Sequence, residues 1–403
     1  MNANMLSFDE AHEKLLGFVR PVREIEQVDT MFAAGRVLAV AQHSTINQPP
    51  MDNSGMDGYA LRAADVPAPG TRLRVSQRIP AGSVGHELAP GTAARIFTGA
   101  PLPPGTDTVV MQELCEHDGD HVIVNTVPRL GEAVRRMGED IAVGDLILPA
   151  GLRLTPQAVA LAASVGLAQL PVLRRVKVAV FSTGSELVMP GEPLPPGAIY
   201  NSNRFMLRSL LAALGCEIED FGIVPDRLDA TRAVLRQAAQ GHDLILTSGG
   251  VSVGEEDHVK PAVEAEGSLD MWKIAMKPGK PLAYGHVHGA AFIGLPGNPV
   301  SSFVTFLKMV RPFLLATQGV REVAPASLTL RADFDWPKPD RRREFLRARR
   351  NAQGGRRTAP HRPQSCGLGC GGRLYLAPSG RGVRDCRQFL GLPGRALCGA
   401  DEH

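Results

Sequence analysis

No apolar run in this 403-residue chain approaches the ~20 residues needed to cross a bilayer, so no membrane-spanning helix is expected. The opening MNANMLSFDEAHEKLL lacks the basic region and apolar core of a secretory signal. Cysteine is scarce: of six, only Cys115 and Cys216 precede residue 366, and without an export signal both read as reduced thiols of a cytoplasmic protein. No Ser-His-Asp or Cys-His grouping is visible, so covalent catalysis is not expected. Strong charge is lacking too. After Gly355 come eight arginines and no lysine against Asp385, Asp401 and Glu402, a surplus of five. The formal total is +3, so the rest of the chain carries two negative charges. The basic balance belongs to the tail, and nucleic-acid binding is not implied.

What is present is a repeated strand-and-turn design. "DLILT" (Asp243–Thr247) is an apolar run that feeds Ser248-Gly249-Gly250 and then Glu255, Glu256 and Asp257. Such a run reads as a buried parallel strand, and a glycine turn at its C-terminal end lies where open α/β sheets bind ligands. Glycines let backbone amides approach an anion, and the carboxylates offer hard oxygens to a divalent cation. By itself the loop is as well read as an ordinary Gly-rich connection with solvated acids. The design recurs in "VKVAVFSTGSEL" (Val176–Leu187), whose turn carries Glu186, and in "AAFIGLPGNP" (Ala290–Pro299), whose turn carries Gly297 and Asn298. Asn201 or Asn203 caps a helix with Phe205, Leu207, Leu210, Leu211 and Leu214 on one face and Gly215 as its stop. "ATRAVLRQAAQG" gives a further helix. This alternation from about Val176 to Leu315 argues a doubly wound, mostly parallel sheet.

At this length two to four domains are expected. "LSFDEAHEKLLGFV" reads as a helix with a Ser7/Glu10 capping box. "VDTMFAAGRVLA" reads as a second, with Met31, Phe32, Ala34, Val37 and Leu38 sharing a face. From about Gln48 to Asn125, short strands and prolines indicate a β-rich subdomain. The tail from about residue 356 is rich in Arg, Gly and Pro, has almost no apolar alternation, and holds Cys366, Cys370, Cys386 and Cys398. Intervals of three, fifteen and eleven residues lack the paired short spacings usual for zinc. A frameshift near Gly355 would account for that composition, and a genuine disordered tail is the alternative.

Seven blocks, in order, carry a resemblance: "MDNSGMDGYA" (51–60), "RIFTGAPLPPGTDTVVMQE" (95–113), "RRMGEDI" (135–141), "STGSEL" (182–187), "TSGGVSVGEEDH" (247–258), "KIAMKPGKP" (273–281) and "GLPGNPVSS" (294–302). Together they resemble the MoeA family, the molybdopterin molybdenumtransferases related to the E domain of gephyrin. The resemblance implies an α/β multidomain chain. Its parts are a mixed first domain (1–47 plus 126–175), an inserted β-rich subdomain (48–125), an α/β molybdopterin-binding domain (176–325) and a C-terminal β domain (326–403, atypical from about 356). The implied reaction inserts molybdenum from molybdate into adenylylated molybdopterin and releases AMP, with Mg²⁺ as cofactor. A homodimer whose cleft is lined by both subunits is implied, with transient contact to a MogA-like adenylyltransferase and molybdoenzyme chaperones.

By the same resemblance, Asp57, Thr98, Asp140, Glu186, Asp226 and Asp257 are expected at the catalytic centre, with Glu186, Asp226 and Asp257 around the metal. The default readings are a hairpin Asp-Gly for Asp57, a turn hydroxyl for Thr98 and a strand-start acid for Asp140. Arg135, Arg136 and Arg343 are expected to line the cleft, where the bland reading is solvated charge. Lys273 and Lys277, four residues apart, would share one strand face, and a bound anion such as molybdate would relieve their repulsion. Lys280 adds to that anion site. Ser248, Gly249, Gly250, Gly297 and Asn298 would hold the pterin or nucleotide phosphates. A MogA-like adenylyltransferase, a CinA-like nucleotide hydrolase and a gephyrin-like scaffold are the rival readings. The "DNSGMDGYA" and "FTGAP" blocks count against both enzymes.

Overall fold

In the computed structural model, residues 5–251, 258–325, 341–350, 356–358, 374–376 and 389–390 are described. Four segments, Ala290–Leu295, Leu244–Ser248, Lys177–Thr183 and Glu217–Val224, lie side by side in that order as parallel strands. Parallel strands covered on both faces need apolar side chains on both. Val178 to Phe181 and Leu244 to Leu246 are accordingly all buried. The sheet continues antiparallel through Pro281–Val287 and Gly267–Ile274 and closes with Met5–Leu6, parallel to Lys273 and Ile274. Four of its six pairings are parallel, as the alternation predicts.

Helices close both faces. Asn201 caps Ser202–Ala213, its Oδ1 accepting from the Arg204 amide at 3.2 Å. Leu207, Leu211 and Leu214 are buried and Gly215, at φ +79°, ends the helix. Leu228–Ala239 and Val259–Glu266 cover the other face through Leu235, Ala238, Ala262 and Val263. Pro299–Thr305 runs through a π turn at Phe306–Val310 into Arg311–Thr317. These 19 residues are long and apolar enough to cross a membrane, a length that reading by unbroken apolar runs overlooks. Their apolar surface is instead used in the core, where Phe306, Val310, Phe313 and Leu314 are buried.

The capping box forms as expected: Ser7 Oγ accepts from the Glu10 amide (3.2 Å) and Glu10 Oε2 from the Ser7 amide (2.8 Å). The helix Phe8–Gly17 sends Ala11 and Leu15 into the core shared with Leu211, Leu246 and Phe313. The chain's start therefore packs on the α/β sheet and not with the rest of segment 1–47. The helix expected over 28–39 does not form. Ile25–Asp29 is a strand antiparallel to Gln169–Leu173, Thr30–Phe32 is one 3-10 turn, and Val37–Leu38 pairs on the other side. Gly35 at φ +79° breaks the path. Ala33 and Leu38 are buried, but Met31 and Phe32 are 79% and 72% exposed, so cross-strand pairing overrode the helical spacing.

Strands between Gly58 and Val124 build a six-stranded sheet, which is the β-rich subdomain. One face buries Tyr59, Leu61, Leu73 and Val110, the other Ala60, Ile79, Ile96 and Val109. Further on, Leu346–Arg350 pairs antiparallel with Arg356–Thr358 and Leu374–Leu376, and the latter with Phe389–Leu390. Short strand pairings thus form after Gly355 at these positions. Pairings of two or three residues are held by backbone groups and do not require side-chain alternation. Cys366, Cys370, Cys386 and Cys398 lie outside the described residues.

Phe345, 4% exposed, meets Phe8 edge-on at 5.4 Å and lies under Lys308 Nζ at 4.6 Å. Phe345→Ala should cost about 3–5 kcal/mol of stability, as large-to-small core changes do. Chemical denaturation checks this. An unchanged midpoint would mean that Phe345 does not clamp the C-terminal segment to the first helix.

Candidate active site

The loops leaving the parallel strands converge at one edge. The Gly249 amide donates to Leu295 O at 3.1 Å, so the turn after Leu244–Ser248 is tied to the end of Ala290–Leu295. A Cβ on Gly249 (φ +92°) would stand 2.8 Å from Thr183 O, and one on Gly250 (φ +65°) 2.7 Å from Thr183 Oγ1 while striking Val259. Only glycine fits there. Gly297 O accepts from Asn203 Nδ2 at 2.8 Å, and Asn298 caps the following helix through the Ser301 amide at 3.1 Å. Asp226, after Glu217–Val224, accepts from the Ser185 amide (2.9 Å) and hydroxyl (3.2 Å). Glu186 is the next residue, so two carboxylates stand on neighbouring loops.

Buried polar atoms without a partner concentrate here. They are Ser182 Oγ, Thr183 Oγ1, Asn201 Nδ2, Asn203 Oδ1, Thr247 Oγ1, Ser302 Oγ and Thr305 Oγ1. Each orphaned group costs on the order of 1–3 kcal/mol, so these seven, spread over both faces of the sheet near its strand ends, are places where a polar ligand would supply missing partners. The sequence pointed to the glycines and gave these residues no site role, Asn201 and Asn203 entering only as helix caps. Small hydroxyl and amide residues inside otherwise apolar runs were the available signal.

Lys273, Lys277 and Lys280 are exposed near this edge, but the first two do not share a strand face. The strand Gly267–Ile274 stops before Ala275, whose amide turns to Leu6 O, and Met276–Lys277 pairs separately with Arg343–Glu344. The even spacing holds, yet the strand that would make it a shared face is interrupted. Lys277 Nζ lies 2.9 Å from Glu344, a carboxylate only 2% exposed. Arg343 binds Asp9 through both terminal nitrogens (2.7 and 2.6 Å) and lies 5.0 Å over Phe8.

A second cluster sits on the β-rich subdomain. Thr98 donates to Asp57 Oδ1 through its amide (2.8 Å) and its hydroxyl (2.7 Å). These bonds, the amide first, hold the Asp57 carboxyl below the usual carboxylate range. Arg135 contacts Asp140 at 2.5 Å, and Val134–Arg135 pairs with Asn53–Ser54 just before Asp57. Arg136 contacts Asp52 at 2.7 Å. The structure thus brings Asp57 to Thr98 and Arg135 to Asp140, on a sheet other than the one bearing Glu186 and Asp226. Among the described residues no three His, Cys, Asp or Glu side chains gather for a metal, and Ser252–Asp257 falls outside them. Burial raises the Cys115 thiol to about 11 and Cys216 to about 12, so neither supplies a thiolate.

A family profile described as MoeA N-terminal region (domain I and II) matches residues 6–166, and one described as probable molybdopterin binding domain matches 179–316. The molybdopterin molybdenumtransferase of Haemophilus influenzae is 43% identical over 320 residues, 79% of either chain. Molybdopterin molybdenumtransferase 2 of Mycobacterium tuberculosis is 38% identical over 370 residues, 87% of this chain and 89% of its own. The crystal structure of the molybdopterin biosynthesis MoeA protein of Pyrococcus horikoshii OT3 covers 96% of this chain and all of its own, with TM-score 0.81 at 27% identity.

Thr98→Val should raise the Asp57 pKa, because a hydroxyl donor to the ionised form is lost while the amide donor stays. A depressed folded-state pKa gives stability that is present above the unfolded value and fades as pH falls through the folded one. In the variant the contribution should be smaller and its loss complete at a higher pH, since only the folded-state value moves. Carboxyl ¹³C NMR titration reads the midpoint directly. An unmoved midpoint would show that the hydroxyl contributes nothing.

Proposed function

The chain belongs to the MoeA family, the molybdopterin molybdenumtransferases of molybdenum cofactor biosynthesis, and from there we propose the particular reaction it performs. Molybdenum passes from molybdate to the dithiolene of adenylylated molybdopterin, with Mg²⁺ assistance and release of AMP. The observation that carries this reading is the strand edge, where the loops after the parallel strands are drawn together at Gly249 and Gly250 and seven buried polar atoms near the strand ends lack partners. A pterin nucleotide, rich in donors and acceptors and bearing phosphates, is the class of ligand such a lining suits.

Asn203, Thr183, Thr247 and Ser302 bind and orient the pterin nucleotide, while the amides of the Gly249-Gly250 turn face its phosphates. Lys273, Lys277 and Lys280 hold molybdate. Lys277 serves only by sharing its charge with Glu344, which keeps the ammonium group in place before the anion arrives. The hard oxygens of Glu186 and Asp226 suit Mg²⁺, with Asp257 as the third ligand; when bound, the cation neutralises charge at the phosphoanhydride. Catalysis is positioning and charge neutralisation without a protein nucleophile. Asp57 and Thr98 serve this edge from the other subunit of a homodimer, with Asp140 and Arg135 bracing them. The reaction is placed in the cytoplasm.

Adenylyl-molybdopterin plus molybdate should support turnover, whereas ATP plus molybdopterin should not; the reverse would make the chain an adenylyltransferase. Lys277→Ala should raise the apparent constant for molybdate by a factor matching about 1.5–3 kcal/mol, the scale of a hydrogen bond to a charged group. Lys277→Ala/Glu344→Gln separates the causes, because removing the buried carboxylate restores stability without restoring a lysine. If the double variant recovers normal molybdate dependence, Lys277 is structural.

Asp257→Asn should lower turnover by at least ~10²-fold, the scale for a lost positioned electrostatic group. Wild-type rates with an unaltered Mg²⁺ dependence would remove Asp257 from the metal set.

A further inference from the structure

We propose that a cavity at the opposite edge of the α/β sheet is a second ligand site, for a small anion with a flat apolar body such as an aromatic phosphate or carboxylate. The half-open cavity has a volume of about 360 Å³ and is lined by Phe18, Arg20, Arg23, Arg174, His286 and Phe313 among others. That volume is at the lower end of the range for small-molecule sites. Asp243 and Ala291, at the N-terminal ends of their strands, also line it, whereas the active-site loops leave the C-terminal ends. A five-residue strand rising ~3.3 Å per residue puts the two sites about 17 Å apart.

The charges in the cavity divide into those already engaged and those that are not. Arg174 is bidentate to Asp243 (2.7 and 2.9 Å) and lies 3.2 Å from Glu24. His242 has Nδ1 2.9 Å from Ala238 O and Nε2 3.2 Å from Glu219. These groups form the wall. The guanidinium groups of Arg20 and Arg23 have no hydrogen bond or ion pair among the described residues, and both belong to exposed residues. Arg20 carries its charge inward, since it acts on both Tyr284 and His286, where Asp270 opposes it.

The floor is aromatic. Phe18 stacks on fully buried Tyr284 at 4.7 Å and 20°, and Phe313 meets the same ring at 6.1 Å. His286 stands edge-on to Phe18 at 6.2 Å with Nε2 2.9 Å from the Tyr284 hydroxyl. Burial first, and Arg20 second, push its pKa down, so the imidazole stays neutral at neutral pH and does not compete as a cation. A pair of exposed arginines alone would be solvated charge of little consequence. Here they line a half-open cavity with an aromatic base, which asks for an anion at one end and a ring at the other.

The test uses the full-length protein with phenyl phosphate, AMP and benzoate as probes in ligand-observed NMR, and inorganic phosphate as the comparison without a ring. Phenyl phosphate should bind at least about tenfold more weakly to Arg20→Gln/Arg23→Gln, whose exposed positions spare the fold, the step expected for charge-assisted hydrogen bonds. Phe18→Leu should weaken the aromatic probes and leave inorganic phosphate unchanged. Lys273→Ala/Lys277→Ala should leave phenyl phosphate binding intact, which separates this cavity from the active-site edge whatever that edge catalyses. Binding that survives loss of both arginines, that disappears with the lysines instead, or that is absent for every probe at millimolar concentration would overturn the assignment.

Discussion

The site depends on how closely three strand ends approach one another at Gly249 and Gly250. Leu295 O accepts from the Gly249 amide, and Thr183 leaves no room for a side chain on either glycine. This contact fixes the separation of three loops at once. Parallel strands spaced ~4.8 Å apart would otherwise let their connections diverge to suit whichever helices follow. Along these strands Ser182 falls on the face of Val178 and Val180, while Thr183 and Thr247 fall on the face of Phe181 and Ile245, and the hydroxyls of all three lack protein partners. A ligand that satisfies them recovers the cost the fold has already borne.

Charge placement follows a related logic. Several of the ionised groups considered for the site are held by a counter-charge within the chain: Lys277 by Glu344, Arg135 by Asp140, Arg136 by Asp52 and Arg343 by Asp9. Exposed pairs of this kind contribute little to stability, about 0–1 kcal/mol. Their value is positional, because a side chain already held spends less entropy when a substrate arrives. Glu344 differs, being almost fully buried, and its link to Lys277 joins the C-terminal segment to the active-site edge. A change in one is therefore felt in the other.

The strand-and-turn units were legible because local pattern and final environment agree. Leu244–Ser248 is apolar since both its faces are covered, and the glycines follow since the turn is tight. The Asn201 cap and the Ser7 capping box were legible for the same reason. The misreadings share one cause. The 28–39 segment has helical spacing but lies where Gln169–Leu173 offers strand partners some 140 residues away. Lys273 and Lys277 have strand spacing, but Ala275 is drawn off to Leu6. The partner of Arg343, a residue whose expected role these contacts leave open, is likewise distant: Asp9 lies 334 residues away. Periodicity reports the local environment and is silent about which distant segment competes for the backbone.

That last pair has a structural consequence. Met5–Leu6 extends the α/β sheet beside Lys273 and Ile274, and the helix that follows lays Phe8 against Phe345 and Asp9 against Arg343. The chain's beginning is thus the platform on which Arg343–Glu344 pairs with Met276–Lys277. From that anchored point Leu346–Arg350 leads into the strands Arg356–Thr358, Leu374–Leu376 and Phe389–Leu390. Those strands pair with one another through a few backbone bonds, while the connection to the body runs through Phe345 and Glu344, both almost fully buried. Among the described residues, the side chains that brace the active-site edge come before Gly355, in Glu344 and Phe345.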